Sequence, residues 1–194
     1  VSAFLLSRSS DLSFPKFAEQ GGWTSAVGPT WPEGDTEKFP VMQASNMVCD
    51  VYQELNNLQN GLYEFGLSAA FRPGDSYTEE NESVAQAYAY INSFETKIPS
   101  GKIEDDVTLN EPAEASVAFA DGKFSMKVYG LVTDGTMKLG ITNKVRSVEG
   151  CRLWAVGASL IFRGKNADVL AQVIAQTTPA AQALLSNYAG RPEL

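Results

Sequence analysis

Histidine is absent from the 194 residues, and cysteine occurs only twice, at Cys49 and Cys151. The first absence removes the commonest general base and the commonest transition-metal ligand, so a serine nucleophile here has no imidazole partner. The cysteines form no Cys-x-x-Cys pair, which argues against a redox or metal role for them. No stretch approaches the roughly 18 apolar residues that a membrane span needs. Basic residues are in the minority, 15 Lys plus Arg against 23 Asp plus Glu for a formal charge of -8. Self-repulsion opposes contact with phosphate backbones or anionic lipid, so nucleic acid and membrane insertion are not expected. There is no Gly-x-Ser-x-Gly elbow, and GDTEK (34 to 38) neither follows a strand nor opens a helix, so it is not a phosphate loop. Composition alone leaves a Ser–Lys pair open.

What is present is β-rich. The length suits one full domain plus an appendage. Three Asx-Gly dipeptides, Asn60-Gly61, Asp121-Gly122 and Asp134-Gly135, suit tight hairpin turns. The first sits between MVCDVYQEL (47 to 55) and LYEFGLSAAF (62 to 71), in which Tyr63, Phe65, Leu67, Ala69 and Phe71 share a face. The third joins a strand over 124 to 132, with Phe124, Met126, Val128 and Val132 on one side, to one over 136 to 142 carrying Met137, Leu139 and Ile141. Residues 84 to 94 alternate small with large side chains, and residues 152 to 163 put Trp154, Val156, Ala158, Leu160 and Phe162 together. Seven to nine short strands with turn signals between them predict an antiparallel β-sandwich or barrel.

The period of two is lost in the tail. Residues 166 to 176 and 179 to 190 are Ala-, Gln- and Leu-rich and read as two short helices, with Asn166 and Thr178 as caps and Pro179 in a first turn. Residues 72 to 81 and 99 to 115 are acidic, rich in turn formers, and expected to be exposed loops. Residues 21 to 40 form an irregular loop holding Trp23 and Trp31 among prolines and glycines. The chain starts at Val1 with no basic or apolar leader, as a mature or excised segment would. Cys49 and Cys151 are expected either as a disulfide closing a loop of roughly 100 residues or as two buried free thiols.

Several segments together resemble a known family. VSAFLL at the start, GGWT (21 to 24), DVYQELNNLQNGLYEFGLSAAFRPG (50 to 74), YAYINSF (88 to 94), DGTMKLGITNK (134 to 144) and RLWAVGASLIF (152 to 162) follow one another as in the galactose-binding-like jelly-roll domains. In particular, the chain resembles the carbohydrate-binding-module-like versions in secreted and surface proteins of gut bacteria. It covers roughly residues 1 to 164. RSSDLSF (8 to 14) replaces the family's Asn-Pro-x-Phe-like segment and VGAS (156 to 159) its Asp-Asn-Phe. The resemblance implies an all-β jelly roll over residues 1 to 164, with 165 to 194 as a helical extension or linker. It further implies a non-catalytic carbohydrate-binding module in a larger secreted or surface protein, with an oligo- or polysaccharide and neighbouring domains as partners. The rival reading is a structural spacer or protein-interaction module without a glycan ligand.

A sugar site needs flat aromatic faces and a few fixed polar groups. Trp31 is the first candidate platform, its alternative being a ring tucked onto the sandwich edge, while Trp23 matches the family's Gly-Trp element and is expected in the core. Arg72, Asp75 and Tyr77 follow a strand end, where they suit a hydrogen-bonding fork, an acceptor and a second platform; the alternative is an internal Arg–Asp pair. Tyr90 and Asn92, with Tyr88, form a stripe that lines a groove unless another layer covers it. Paired glycosidase carboxylates are not expected, because Glu79, Glu80, Glu82, Glu104, Asp105 and Asp106 fall in solvated loops. A structural calcium, which the resemblance implies, would draw oxygens from Asp35, Glu37, Asp105 and Asp106.

Overall fold

The computed structural model describes residues 22–25, 41–45, 48–84, 86–104, 107–144 and 149–164. Within them lie eleven strands and two short helices: β1 (Thr24–Ser25), β2 (Met42–Ser45), β3 (Cys49–Leu55), β4 (Gly61–Arg72), α1 (Glu79–Val84), β5 (Ala87–Ile91), β6 (Phe94–Lys97), β7 (Lys102–Glu104), β8 (Val107–Thr108), α2 (Pro112–Ala120), β9 (Ser125–Val132), β10 (Met137–Asn143) and β11 (Arg152–Gly164). A five-stranded sheet in the order β1-β3-β10-β5-β6 faces a four-stranded one in the order β2-β11-β4-β9, and every ladder in both is antiparallel. The fold is the expected all-β antiparallel sandwich, with successive long strands alternating between sheets in jelly-roll fashion. The proposed helical extension, residues 165–194, and Trp31 lie outside the described residues.

The alternation that predicted the strands also places them. Tyr63, Phe65, Leu67, Ala69 and Phe71 of β4 face Val51, Ala89, Ile91, Leu139 and Ile141 of the opposite sheet in one apolar core that also holds Trp23. Both cysteines are free and buried in it, and burial pushes the Cys49 thiol up to about 11. That settles the two open alternatives in favour of free thiols.

Two of the expected hairpins are crossings instead. β3 and β4 flank Asn60-Gly61 but belong to different sheets, as do β9 and β10 on either side of Asp134-Gly135. Each of these strands has one apolar face, and a crossing sets the two faces opposite each other across the core rather than side by side. The two turns are stapled together: the Asn60 amide donates to the Thr133 carbonyl at 2.7 Å and accepts from the Gly135 N–H at 2.9 Å, and the Leu58 N–H donates to the Gly135 carbonyl. A tight hairpin does exist where none was expected, β5 to β6, turning at Asn92 with φ 51°.

Asp121-Gly122 is not a hairpin either; it ends α2, where the N–H groups of Gly122 and Lys123 return to the carbonyls of Phe119 and Ala118. The expected loop over 99 to 115 therefore contains β7, β8 and the start of a helix. Pro112 occupies its first turn, and the Glu114 carboxylate accepts from the main-chain N–H groups of Asn110 and Glu111. Of the 72-to-81 segment, Arg72 ends β4 and a loop follows as far as Thr78, whose hydroxyl accepts from the Asn81 N–H and caps α1.

The face expected on β11 is split by a bulge. Val156 pairs with Ser68 and Ser159 with Gly66, so three steps on β11 match two on β4. Gly157 takes φ 67° there, which a side chain would resist. Before the bulge Leu153 and Ala155 face the main core, whereas Trp154 and Val156 turn outward into a second cluster with Ala115, Ala118 and Phe119 of α2. After it, Ala158, Leu160 and Phe162 pack on the main core. Trp154 is fully buried and its indole N–H donates to the Gln43 side chain at 2.7 Å. Phe124, expected beside Met126, has φ 59° and joins the second cluster, edge-on to Phe119.

On the outer face of the four-stranded sheet, Glu64 is held by Lys127 at 2.9 Å and by both Nε and Nη2 of Arg163. Burial on its own would raise this carboxyl, but the hydrogen bonds from Lys127, Arg163 and Tyr129 outweigh it and hold Glu64 below its ordinary 4.5. A lowered folded-state value stabilises the protein above the unfolded one and loses that effect as pH falls through the folded one. Glu64→Gln is expected to cost about 2 kcal/mol at pH 7, with the gap to the wild type shrinking below pH 4.5; urea denaturation at stepped pH measures both.

Candidate functional site

With Val51, Ala89, Ile91, Leu139 and Ile141 turned inward, the alternate residues of the five-stranded sheet face outward. One cross-strand row reads Thr24, Tyr52, Gly140, Tyr90, Glu95, and the next Asp50, Thr142, Tyr88, Lys97. Gly140 thus floors a dip between two tyrosines. A β-carbon there would fall 2.2 Å from the Val51 carbonyl oxygen and 2.9 Å from Tyr52 Cα, both backbone atoms of the neighbouring strand.

Lys138 leans across this dip. Its ammonium lies 3.8 Å from the centroid of the Tyr52 ring and 5.8 Å from that of Tyr90, and donates to Asp50 Oδ2 at 2.7 Å. The Tyr90 hydroxyl donates to the other oxygen, Asp50 Oδ1, at 2.5 Å. Burial, reinforced by that bond to the carboxylate, holds the Tyr90 phenol far above the ordinary tyrosine range, so it remains a donor at any physiological pH. A second unit repeats the arrangement: Lys144 lies 4.5 Å over the Tyr88 ring and bonds both Glu95 oxygens at 2.6 and 2.8 Å. The four charged side chains are between 37% and 42% exposed. Ion pairs so exposed contribute about 0 to 1 kcal/mol, and cation–π contacts at exposed sites about 0.5 to 1 kcal/mol. These units therefore contribute little to holding the sheet, yet they fix donors, acceptors and ring faces on a rigid floor.

Of the residues expected at a site, Tyr90 belongs to this cluster, with its ring largely covered rather than offered as a platform. Asn92 adjoins it as a clamp: its side chain accepts from the Lys138 N–H at 2.9 Å, and its own N–H donates to the Lys138 carbonyl. Arg72, Asp75 and Tyr77 lie at the end of β4, on the other sheet. Arg72 donates to the Asp75 main-chain carbonyl at 2.9 Å and forms no ion pair with the Asp75 carboxylate. The Tyr77 hydroxyl donates to the Leu109 carbonyl, so that residue ties the loop down, and burial raises its phenol. Among the described residues no three His, Cys, Asp or Glu converge as a metal site; the carboxylates named for calcium, Asp35, Glu37, Asp105 and Asp106, all lie outside those residues.

Tyr52, Asp50, Lys138, Lys144 and Glu95 were missed. The signals were the outward positions of DVYQEL and a glycine in the middle of KLGIT, because glycine inside a strand marks a close approach.

No family model matches the chain, and no curated protein is similar to it. Among solved structures, one similar chain is that of the Clostridium thermocellum N-terminal endo-1,4-beta-D-xylanase 10B, its CBM22-1 and GH10 modules complexed with xylohexaose. Identity is 11% and the TM-score 0.37, over 80% of this chain and 28% of that one. The fold above rests on the strand register and not on this likeness.

Gly140→Ala meets backbone on the adjacent strand and is expected to lower stability by about 2 to 3 kcal/mol. Lys144→Met, on the same face, is expected to change it by less than about 1 kcal/mol. Paired chemical denaturation curves measure this contrast.

Proposed function

We propose that the chain is a non-catalytic carbohydrate-binding module of the galactose-binding-like type, part of a secreted or surface protein, and that the tyrosine face of the five-stranded sheet holds its ligand. The observation that carries this is the pair of Tyr–Lys–carboxylate units side by side. Each sets an ammonium donor next to a carboxylate acceptor, the pairing that neighbouring sugar hydroxyls complete, while the partly exposed Tyr52 and Tyr88 rings lie against the apolar faces of the sugar. The groups are bonded in place before a ligand arrives, so little ordering is required on binding.

Native affinity electrophoresis against soluble plant, host and microbial polysaccharides tests the proposal. Retardation by one class is expected, weakened about tenfold in Tyr52→Ala and in Tyr88→Ala with folding intact. Trp31→Ala is run beside them, since that residue is a proposed platform of its own. Retardation unchanged in both tyrosine variants overturns the placement of the site. No retardation by any polysaccharide overturns the glycan reading in favour of a protein-interaction module. One observation favours that rival: an apolar cleft of about 450 Å³ between α2 and the β7–β8 hairpin, in which Val107 and Val117 are exposed.

A further inference from the structure

At the far end of the four-stranded sheet one cross-strand row reads Ser45, Arg152, Arg72. Two arginines directly opposite each other on paired strands repel, and a folded chain normally answers both charges. Arg152 is answered: its guanidinium donates at 2.7 Å to the Asn110 carbonyl and at 2.7 Å to the Glu111 carboxylate. Arg72 is not. It is 9% exposed, its hydrogen bond goes to the Asp75 main-chain carbonyl, and none of the ion pairs among the described residues includes it.

The neighbouring acids and hydroxyls are turned elsewhere. The Asp75 carboxylate lies against Gly150, where a β-carbon would come within 1.8 Å of its Oδ1. The Tyr77 hydroxyl is donated to Leu109. Three buried side-chain polar atoms among the described residues have no partner, and two of them, Arg72 Nε and Ser45 Oγ, flank Arg152 in this row. A buried cation without a counter-charge is costly to keep, and unpaired buried donors call for an acceptor.

We propose that the Ser45–Arg152–Arg72 row binds a small oxyanion, a carboxylate or a sulfate. The unused Arg72 N–H and the Ser45 hydroxyl serve as donors on either side, and the Arg152 side chain, 26% exposed, opens the row to solvent. Arg152 has the Glu111 carboxylate as its ion-pair partner and Arg72 a main-chain carbonyl alone, so a single anionic group would complete the row. Guanidinium donors match planar carboxylates and sulfate oxygens in geometry as well as charge. This site is independent of the tyrosine face, on the other sheet.

Thermal unfolding of the full chain at constant ionic strength tests it, with sodium chloride replaced by up to about 10 mM sodium sulfate or sodium acetate. One of the two anions is expected to raise the midpoint by about 2 to 4 °C. The rise disappears in Arg72→Gln and weakens several-fold in Ser45→Ala. A response to acetate assigns the site to a carboxylate such as that of an acidic sugar, and a response to sulfate assigns it to a sulfate group. No rise over chloride with either anion overturns the proposal, as does a full rise retained in the variants. If Arg72→Gln does not fold, Ser45→Ala decides alone. Tyr52→Ala keeps the anion response, which separates failure of this site from failure of the glycan face.

Discussion

The ladder between β4 and β11 is the constraint on which the rest of the molecule depends. It runs from Arg72 opposite Arg152 to Leu62 opposite Gly164, the longest pairing among the described residues. The first of its two register slips, at Gly157, makes β11 serve two cores. On one side of the slip Trp154 and Val156 face outward and give α2 a surface to cover; on the other, Leu160 and Phe162 fill the space between the sheets. Without the extra residue a single face of β11 would carry all of them, and either α2 or the main core would lose its apolar partner.

The two outer faces are organised differently. On the four-stranded sheet the carboxylate of Glu64 is nearly enclosed and held by two cations, so it serves the fold. On the five-stranded sheet the ion pairs are partly exposed and sit on tyrosine rings around a glycine-floored dip, an arrangement worth little in stability and well suited to recognition. The distinction follows from position. Glu64 sits on a central strand, flanked by the long side chains of β9 and β11, whereas Asp50 and Lys138 flank a residue that has no side chain to fill the space between them.

Much of the strand content was legible because an inward face repeats every two residues over short windows, as in Tyr63 to Phe71 and in Met137 to Ile141. The tyrosine face was half legible. Tyr88, Tyr90 and Asn92 lie on one strand and its turn, and their stripe stands out locally, but Asp50, Tyr52 and Lys138 come from other strands, with Asp50 itself 40 residues from the Tyr90 it bonds, and meet them only through register. The α2 helix was hidden by its own start, since Pro112 and the acids around it also suit a loop, although proline in a first turn followed by alanines and a capping glutamate is a helix signal.

By itself the sequence determined which segments extend and, for most of them, which face is apolar. These are local properties, set by side-chain chemistry and by alternation along a strand. Only the tertiary structure decided that Asn60-Gly61 and Asp134-Gly135 cross between sheets, that Gly157 reverses a face, and which outward side chains share a row. An Asx-Gly pair satisfies a hairpin or a crossing equally well, and the choice lies with the distant partner: the Asn60 amide bonds to the other turn, 73 and 75 residues along the chain.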